Sequence, residues 1–223
     1  MNILAVCFIP LIAIFLIFVI LINGLKLRYA LWACILGLLA VLPIAFVQHF
    51  VMKLPLFTTV TVASLLLTAV LFNGVVEESV KLLFLVLLPQ KRLPLAAFFA
   101  CALLFGLALG SFESVIYLMR RIQNSALPTG ASAAYKLVLV RMATAVLIHT
   151  FCAGLSGLCL WTGSAKKRRL LPFVYAALLH GVYNFFAGFT TGYRYFSIIA
   201  ILFAALECRI WYSHLHPTNV PQA

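Results

Sequence analysis

Residues 3–22 read ILAVCFIPLIAIFLIFVILI, twenty consecutive apolar residues with no charged side chain. Wound as a helix rising about 1.5 Å per residue, such a run is about 30 Å long, the thickness of the hydrocarbon core of a bilayer. It has no polar face to turn towards water, so lipid is its solvent. A basic n-region and a small-residue cleavage site are both missing, and the run is read as a retained first helix, not a signal peptide.

The same pattern recurs along the chain. Apolar runs predict spans near 3–23, 30–50, 56–88, 95–119, 137–161, 170–189 and 195–212. Across all 223 residues, 65% are hydrophobic and 9% are charged, against about 25% charged in soluble domains. The expected fold is therefore all-α, a polytopic bundle of about seven transmembrane helices. The third stretch, Leu56 to Leu88, is long for one span and short for two. Asn73-Gly74 in its middle marks a kink, or a break that would make eight spans. Residues 1–213 are expected to form a single membrane-embedded domain, and 214–223 a polar, disordered tail.

The charge is lopsided, with 16 Lys+Arg against 4 Asp+Glu and a net charge of +12. A nucleic-acid partner is rejected, because the basic residues sit in short breaks between apolar runs: Lys26/Arg28, Lys91/Arg92, Arg120/Arg121 and Lys166 to Arg169. That is the pattern of flanked and oriented membrane helices. With seven spans one side collects nine Lys/Arg and the other five, and with eight spans the split is eight to six. The larger bias favours seven, with the N-terminus outside and the C-terminus cytoplasmic, in what is expected to be a bacterial inner membrane. The longest loop, 120–136, reads as a flexible crossing. Six cysteines lie within apolar runs without a CxxC pair, so neither a disulfide framework nor a cysteine metal site is expected.

The chain has no aspartate, and its acids are Glu77, Glu78, Glu113 and Glu207. The first three fall inside apolar stretches, where an ionised side chain costs about 2.5 to 3.5 kcal/mol on insertion scales. A structural account is available: a protonated glutamate bonding a neighbouring helix, or Glu78 paired with Lys81. The grouping favours function. Glu77 and Lys81 are four apart and Glu78 and Lys81 three apart, so one lysine can compensate either carboxylate and leave the other free as a base or ligand. Gly106, Gly110 and Ser114 form a small-residue ridge that lets another helix approach closely, and Glu113 shares that side. His149 sits mid-span beside small residues. His180 and Asn184 share one helix face, where an amide can orient a ligand or donate to a developing oxyanion.

Two histidines and two or three glutamates on separate helices supply the nitrogen and oxygen ligands of a catalytic zinc site with an open position. Carboxylate-assisted attack of a metal-bound water is the chemistry such a set supports. No HExxH motif occurs, so this is not a soluble zincin. Glu77-Glu78-x-x-Lys81, the glycine-rich segment ending in Glu113, then Arg141 and His149, then His180-x-x-x-Asn184 together resemble the PrsW family of intramembrane proteases, within the CPBP (type II CAAX prenyl protease-like) superfamily. The resemblance covers about residues 74–186. It implies a helical bundle around a polar pocket, with a glutamate-activated water cleaving a peptide bond in or near the membrane. It implies that Glu77 and Glu78 supply the base, that Glu113, His149 and His180 hold a divalent metal such as zinc, and that Asn184 orients the substrate or its oxyanion. Leu109 and Ser114 depart from the family's second motif, and Phe112 is shifted next to Glu113.

The expected partners are a membrane-bound protein or peptide substrate and the lipid bilayer. Two other readings use the same residues. One is a non-catalytic membrane scaffold of that superfamily, with the polar side chains as buried hydrogen-bond glue. The other is a proton-coupled transporter, which ranks last because no inverted repeat or paired broken helices are seen. Oligomeric state is not legible in the sequence.

Overall fold

The computed structural model describes residues 3–51, 53–54, 61–123, 131–164 and 170–215, and their regular structure is helical throughout. Among the described residues six helices are long and apolar enough to cross a membrane: Leu4–Leu21, Leu27–Val51, Val62–Leu85, Leu95–Gln123, Ser132–Thr162 and Gly192–Leu215. A seventh apolar helix, Leu171–Ala187, is shorter. In chain order these seven are named the first to the seventh span, with Leu171–Ala187 the sixth. The all-α bundle expected from composition is what is observed. Large apolar side chains such as Ile20 and Leu83 stand exposed on its outside, as a lipid-facing surface requires.

The third span settles the ambiguity at Asn73-Gly74. Among the described residues it is one uninterrupted rod, with α-helix at Val62–Leu67, π-helix at Thr68–Val76 and α-helix again at Glu77–Leu85. No break is present. The chain instead widens its turn, and the Glu77 N–H donates to the Phe72 carbonyl five residues back. Thr61 starts the rod by a reciprocal cap: Ser64 N–H donates to Thr61 Oγ1 at 3.1 Å, and Thr61 N–H donates to Ser64 Oγ at 2.9 Å. The last span also differs from expectation, because its helix runs Phe196–Leu215 and takes in His214 and Leu215. The remainder of the expected tail, the Lys166 to Arg169 cluster, residues 56–60 of the predicted third span and 124–130 of the long loop lie outside the described residues. All six cysteines are free thiols.

The fourth span is the axis of the bundle. Of its apolar window 78% is buried, against 17% for the first span. Its small-residue ridge faces the fifth span. A methyl group on Gly110 would lie 2.9 Å from Val146 Cα and 3.3 Å from His149 Cβ. Beyond it, Ser114 Oγ accepts a hydrogen bond from Arg141 Nε at 3.1 Å. The third and sixth spans approach equally closely. A methyl group on Gly74 would meet the Ala177 carbonyl oxygen at 2.5 Å, and one on Gly181 would meet Val70 Cα at 3.0 Å. Without hydrophobic attraction between helices in lipid, such backbone approach is what van der Waals packing needs. Both contacts lie within a turn or so of a polar residue: His149 is three positions after Val146, and Glu77 is three after Gly74.

Gly110→Ala is expected to cost about 1–3 kcal/mol by overpacking, because the nearest obstructing atom is the Val146 backbone Cα and the next belong to the buried His149 ring and its Cβ. Gly192→Ala meets nothing within 4 Å and should be neutral. Thermal unfolding of the two variants in detergent checks both; equal midpoints would contradict the packing described.

Candidate metal centre

Four spans deliver the polar side chains to one place. Glu77, Glu78 and Lys81 come from the third, Glu113 from the fourth, His149 from the fifth, and His180 and Asn184 from the sixth. Glu77, Glu78, Lys81, His149 and His180 are all buried, at 6% exposure or less. Lys81 is the hub. Its Nζ lies 2.6 Å from Glu78 Oε1, 3.4 Å from Glu77 Oε1 and 2.9 Å from His149 Nδ1. The two glutamates therefore part company. Glu78 is fully enclosed, with Lys81 on one oxygen and Ser156 Oγ donating to the other at 3.4 Å. Glu77 is the one that reaches the cavity.

The two imidazoles meet edge to face, with ring centroids 4.7 Å apart. Each is bracketed by carboxylates. His149 Nδ1 is 3.2 Å from Glu77 Oε1, while its Nε2 touches Glu113 Oε2. His180 Nδ1 is 2.7 Å from Glu78 Oε1, and its Nε2 is 3.9 Å from Glu77 Oε1. Neither ring nitrogen of His180 makes an aligned hydrogen bond among the described residues. A buried imidazole left in that state is costly unless something else engages it.

A metal ion fits this arrangement. One donor atom from each of Glu77, His149 and His180 lies within 4.8 Å of the other two. Tetrahedral zinc, with bonds of about 2.0–2.2 Å, needs donors about 3.3–3.6 Å apart, so a small contraction would suffice. The donors are nitrogen and oxygen, as that ion prefers. Charge points the same way: when ionised, Glu77 and Glu78 outweigh Lys81 by one negative charge. The carboxylates beside the ring nitrogens are also the usual outer partners that orient metal-binding histidines. Glu113 sits on the other side of His149 from Lys81. It is half exposed to the cavity and lies 3.6 Å from Arg141.

The cluster closes the deep end of a cavity of about 430 Å³. Glu77, Glu113, His149, His180 and Asn184 line it. Asn184 Nδ2 donates to the His180 carbonyl at 3.2 Å, which fixes the amide one turn beyond the imidazole. Every candidate residue from the sequence is thus in the cluster or at its edge. The sequence reading missed Asn73, Gln48 and Tyr117, which also line the cavity. Asn73 had a legible signal, because it precedes Glu77 by four residues on a helix. Gln48 and Tyr117 had none, because both belong to span ends where polar residues are ordinary. The Lys81–His149 contact, across 68 positions, was equally invisible.

A family model described as PrsW family intramembrane metalloprotease matches residues 26–206. No curated protein and no solved structure matches the chain.

Lys81→Leu is expected to destabilise the protein by about 3–5 kcal/mol, because it leaves buried carboxylate without its counter-charge. Adding Glu78→Leu should recover part of that loss. Unfolding midpoints of the single and double variants in detergent test this; a double variant no more stable than the single would count against Lys81 acting mainly as Glu78's partner.

Proposed function

The chain belongs to the PrsW family of intramembrane metalloproteases, and on that premise we propose that it is a zinc-dependent, glutamate-assisted endopeptidase cutting a membrane-bound protein or peptide. One observation carries the reading: the donor atoms of Glu77, His149 and His180, brought from three helices, stand within 4.8 Å of one another at the buried end of a cavity. The order of Glu77-Glu78, Glu113, His149 and His180-x-x-x-Asn184 is also the basis for placing the chain in the wider CPBP superfamily.

Each residue has its own part. His149 and His180 would hold the ion with Glu113 as the third ligand, in place of the Glu77 donor that stands within 4.8 Å of them, so that Glu77 is left free as the base. When bound, it supplies Lewis-acid polarisation of the scissile carbonyl and a more acidic water. Glu77 takes the proton from the attacking water, whose oxygen bonds to the carbonyl carbon, and returns it to the departing amine. The Asn184 amide, already tethered to the His180 carbonyl, donates towards the carbonyl oxygen as charge develops there. Glu78 and Lys81 touch no substrate. They clamp the turn that carries Glu77 and hold the His149 ring. Burial keeps competing water out and strengthens each of these electrostatic contacts.

The cavity runs from this cluster to Gln48, Arg120 and Arg121, near the C-terminal ends of the second and fourth spans. The basic-residue count favours the outer face for those ends, with the N-terminus outside and the C-terminus cytoplasmic, and the membrane proposed is a bacterial inner membrane. Cleavage is accordingly proposed near that face, in an apolar substrate helix unwound at its end. In this scheme residues 1–213 act as a single membrane domain.

In a proteoliposome assay with a membrane-peptide library as substrate, Glu77→Gln should lower cleavage at least about a thousandfold while retaining bound zinc. Glu113→Gln and His180→Ala should lose zinc by elemental analysis as well as activity. Loss of zinc in Glu77→Gln with retention in Glu113→Gln would exchange the two carboxylates' roles. Undiminished cleavage in all three would reject the site.

A further inference from the structure

Three arginines line the same cavity as the donor cluster: Arg120 and Arg121 at the end of the fourth span, and Arg141 on the fifth. Their charge is not matched. Glu113 is the single carboxylate among them, 3.6 Å from Arg141 and already against His149. No ion pair involves Arg120 or Arg121 among the described residues. The arrangement is also built, not incidental. Tyr117 carries two guanidinium groups on one ring, Arg141 at 4.3 Å and Arg121 at 5.2 Å from its centroid. Its hydroxyl accepts from Arg121 Nη2 at 2.7 Å and from Nε at 3.1 Å. Arg141 is anchored by Nε to Ser114, and its buried Nη2 makes no hydrogen bond but faces Glu113 Oε1 at 3.6 Å. Two like charges held beside one ring, with Glu113 alone opposite them, are preorganised for a further anion.

We propose that Tyr117, Arg121 and Arg141, with Arg120 at the rim, form a subsite for an acidic side chain of the substrate, and so select membrane proteins carrying Asp or Glu beside the cleaved bond. The inference rests on the protease reading above and names its substrate class. A polypeptide is favoured over a lipid phosphate because these groups line the same cavity as the catalytic cluster, with Arg141 partly buried beside Glu113. The run of contacts His149–Glu113–Arg141–Tyr117–Arg121 sets the reach. Summed through the side chains, it spans no more than about 19 Å, or about six residues of extended chain at about 3.3 Å each. The acidic residue should therefore lie within about six positions of the scissile bond, on the side that leaves the membrane.

The test is binding, read separately from cleavage. The full-length protein in neutral-lipid nanodiscs is titrated with a fluorescent peptide of about 20 apolar residues followed by a short polar segment containing either glutamate or glutamine. The expected result is about tenfold tighter binding of the glutamate peptide, the size of one charge-assisted contact, shrinking to within about twofold in Arg121→Gln and with rising salt. Arg120→Gln should reduce it less. Equal binding of the two peptides by the unaltered protein would overturn the proposal, whatever the variants do. So would a preference abolished by adding phosphatidylglycerol to the discs, which would assign the arginines to lipid. Failure of Glu77→Gln to lower cleavage would sink the proposed reaction and leave a measured charge preference standing, so the two failures are distinguishable.

Discussion

A lysine ammonium with no exposure to solvent, at the depth of a membrane span, sits 2.6 Å from one carboxylate and 3.4 Å from another. Desolvating these groups is expensive, and the arrangement is tenable only because each of these charges has a partner. Glu78 has Lys81 and Ser156; Glu77 has Lys81 and His149; His149 has Lys81 and Glu113. Lys81 thus locks the third span to the fifth. Its position also differentiates two adjacent glutamates of identical chemistry, drawing Glu78 into the packing and leaving Glu77 at the cavity wall.

That polar knot could not form if the helices were held at ordinary separations. Glycine supplies the proximity. Gly110 brings the fourth span onto the fifth beside His149, and Gly74 with Gly181 brings the third onto the sixth between Glu77 and His180. The π-helical stretch from Thr68 to Val76 contributes the register. A wider turn ending at Glu77 rotates the helix from Glu77 to Leu85 relative to a plain α-helical continuation, and π segments commonly accompany functional sites. Packing and chemistry are therefore inseparable here: the same close contacts that stabilise the bundle set the distances between donor atoms.

From this knot the cavity passes outward through a gradient of charge. Carboxylates and imidazoles occupy the deep end, Glu113 bridges His149 to Arg141, and guanidinium groups stacked on Tyr117 occupy the far end. On the proposed reading the deep end holds a cation and the far end an anion, and a substrate peptide traversing both would link the chemistry of the cut to the choice of sequence being cut.

Much of this was determined by the sequence alone. Twenty apolar residues in a row leave a helix no aqueous face, so the membrane and the all-helical fold follow from solvation without any contact being known. The scarcity of acids made Glu77, Glu78 and Glu113 conspicuous, because burying a charge in lipid is too costly to be casual. Helical spacing tied Lys81 to both neighbours and Asn184 to His180. Spacing within one helix is short-range geometry, and for that reason it can be read directly. Contacts between helices are not. Which glutamate Lys81 would hold, that it would also reach His149, that Asn73-Gly74 would mark a π-helix instead of a break, and that Arg120 and Arg121, which look like ordinary flanking charges, would line a cavity all depended on how close the glycine faces let the spans approach. Those distances arise from packing between segments far apart in the chain, and only the tertiary structure decided them.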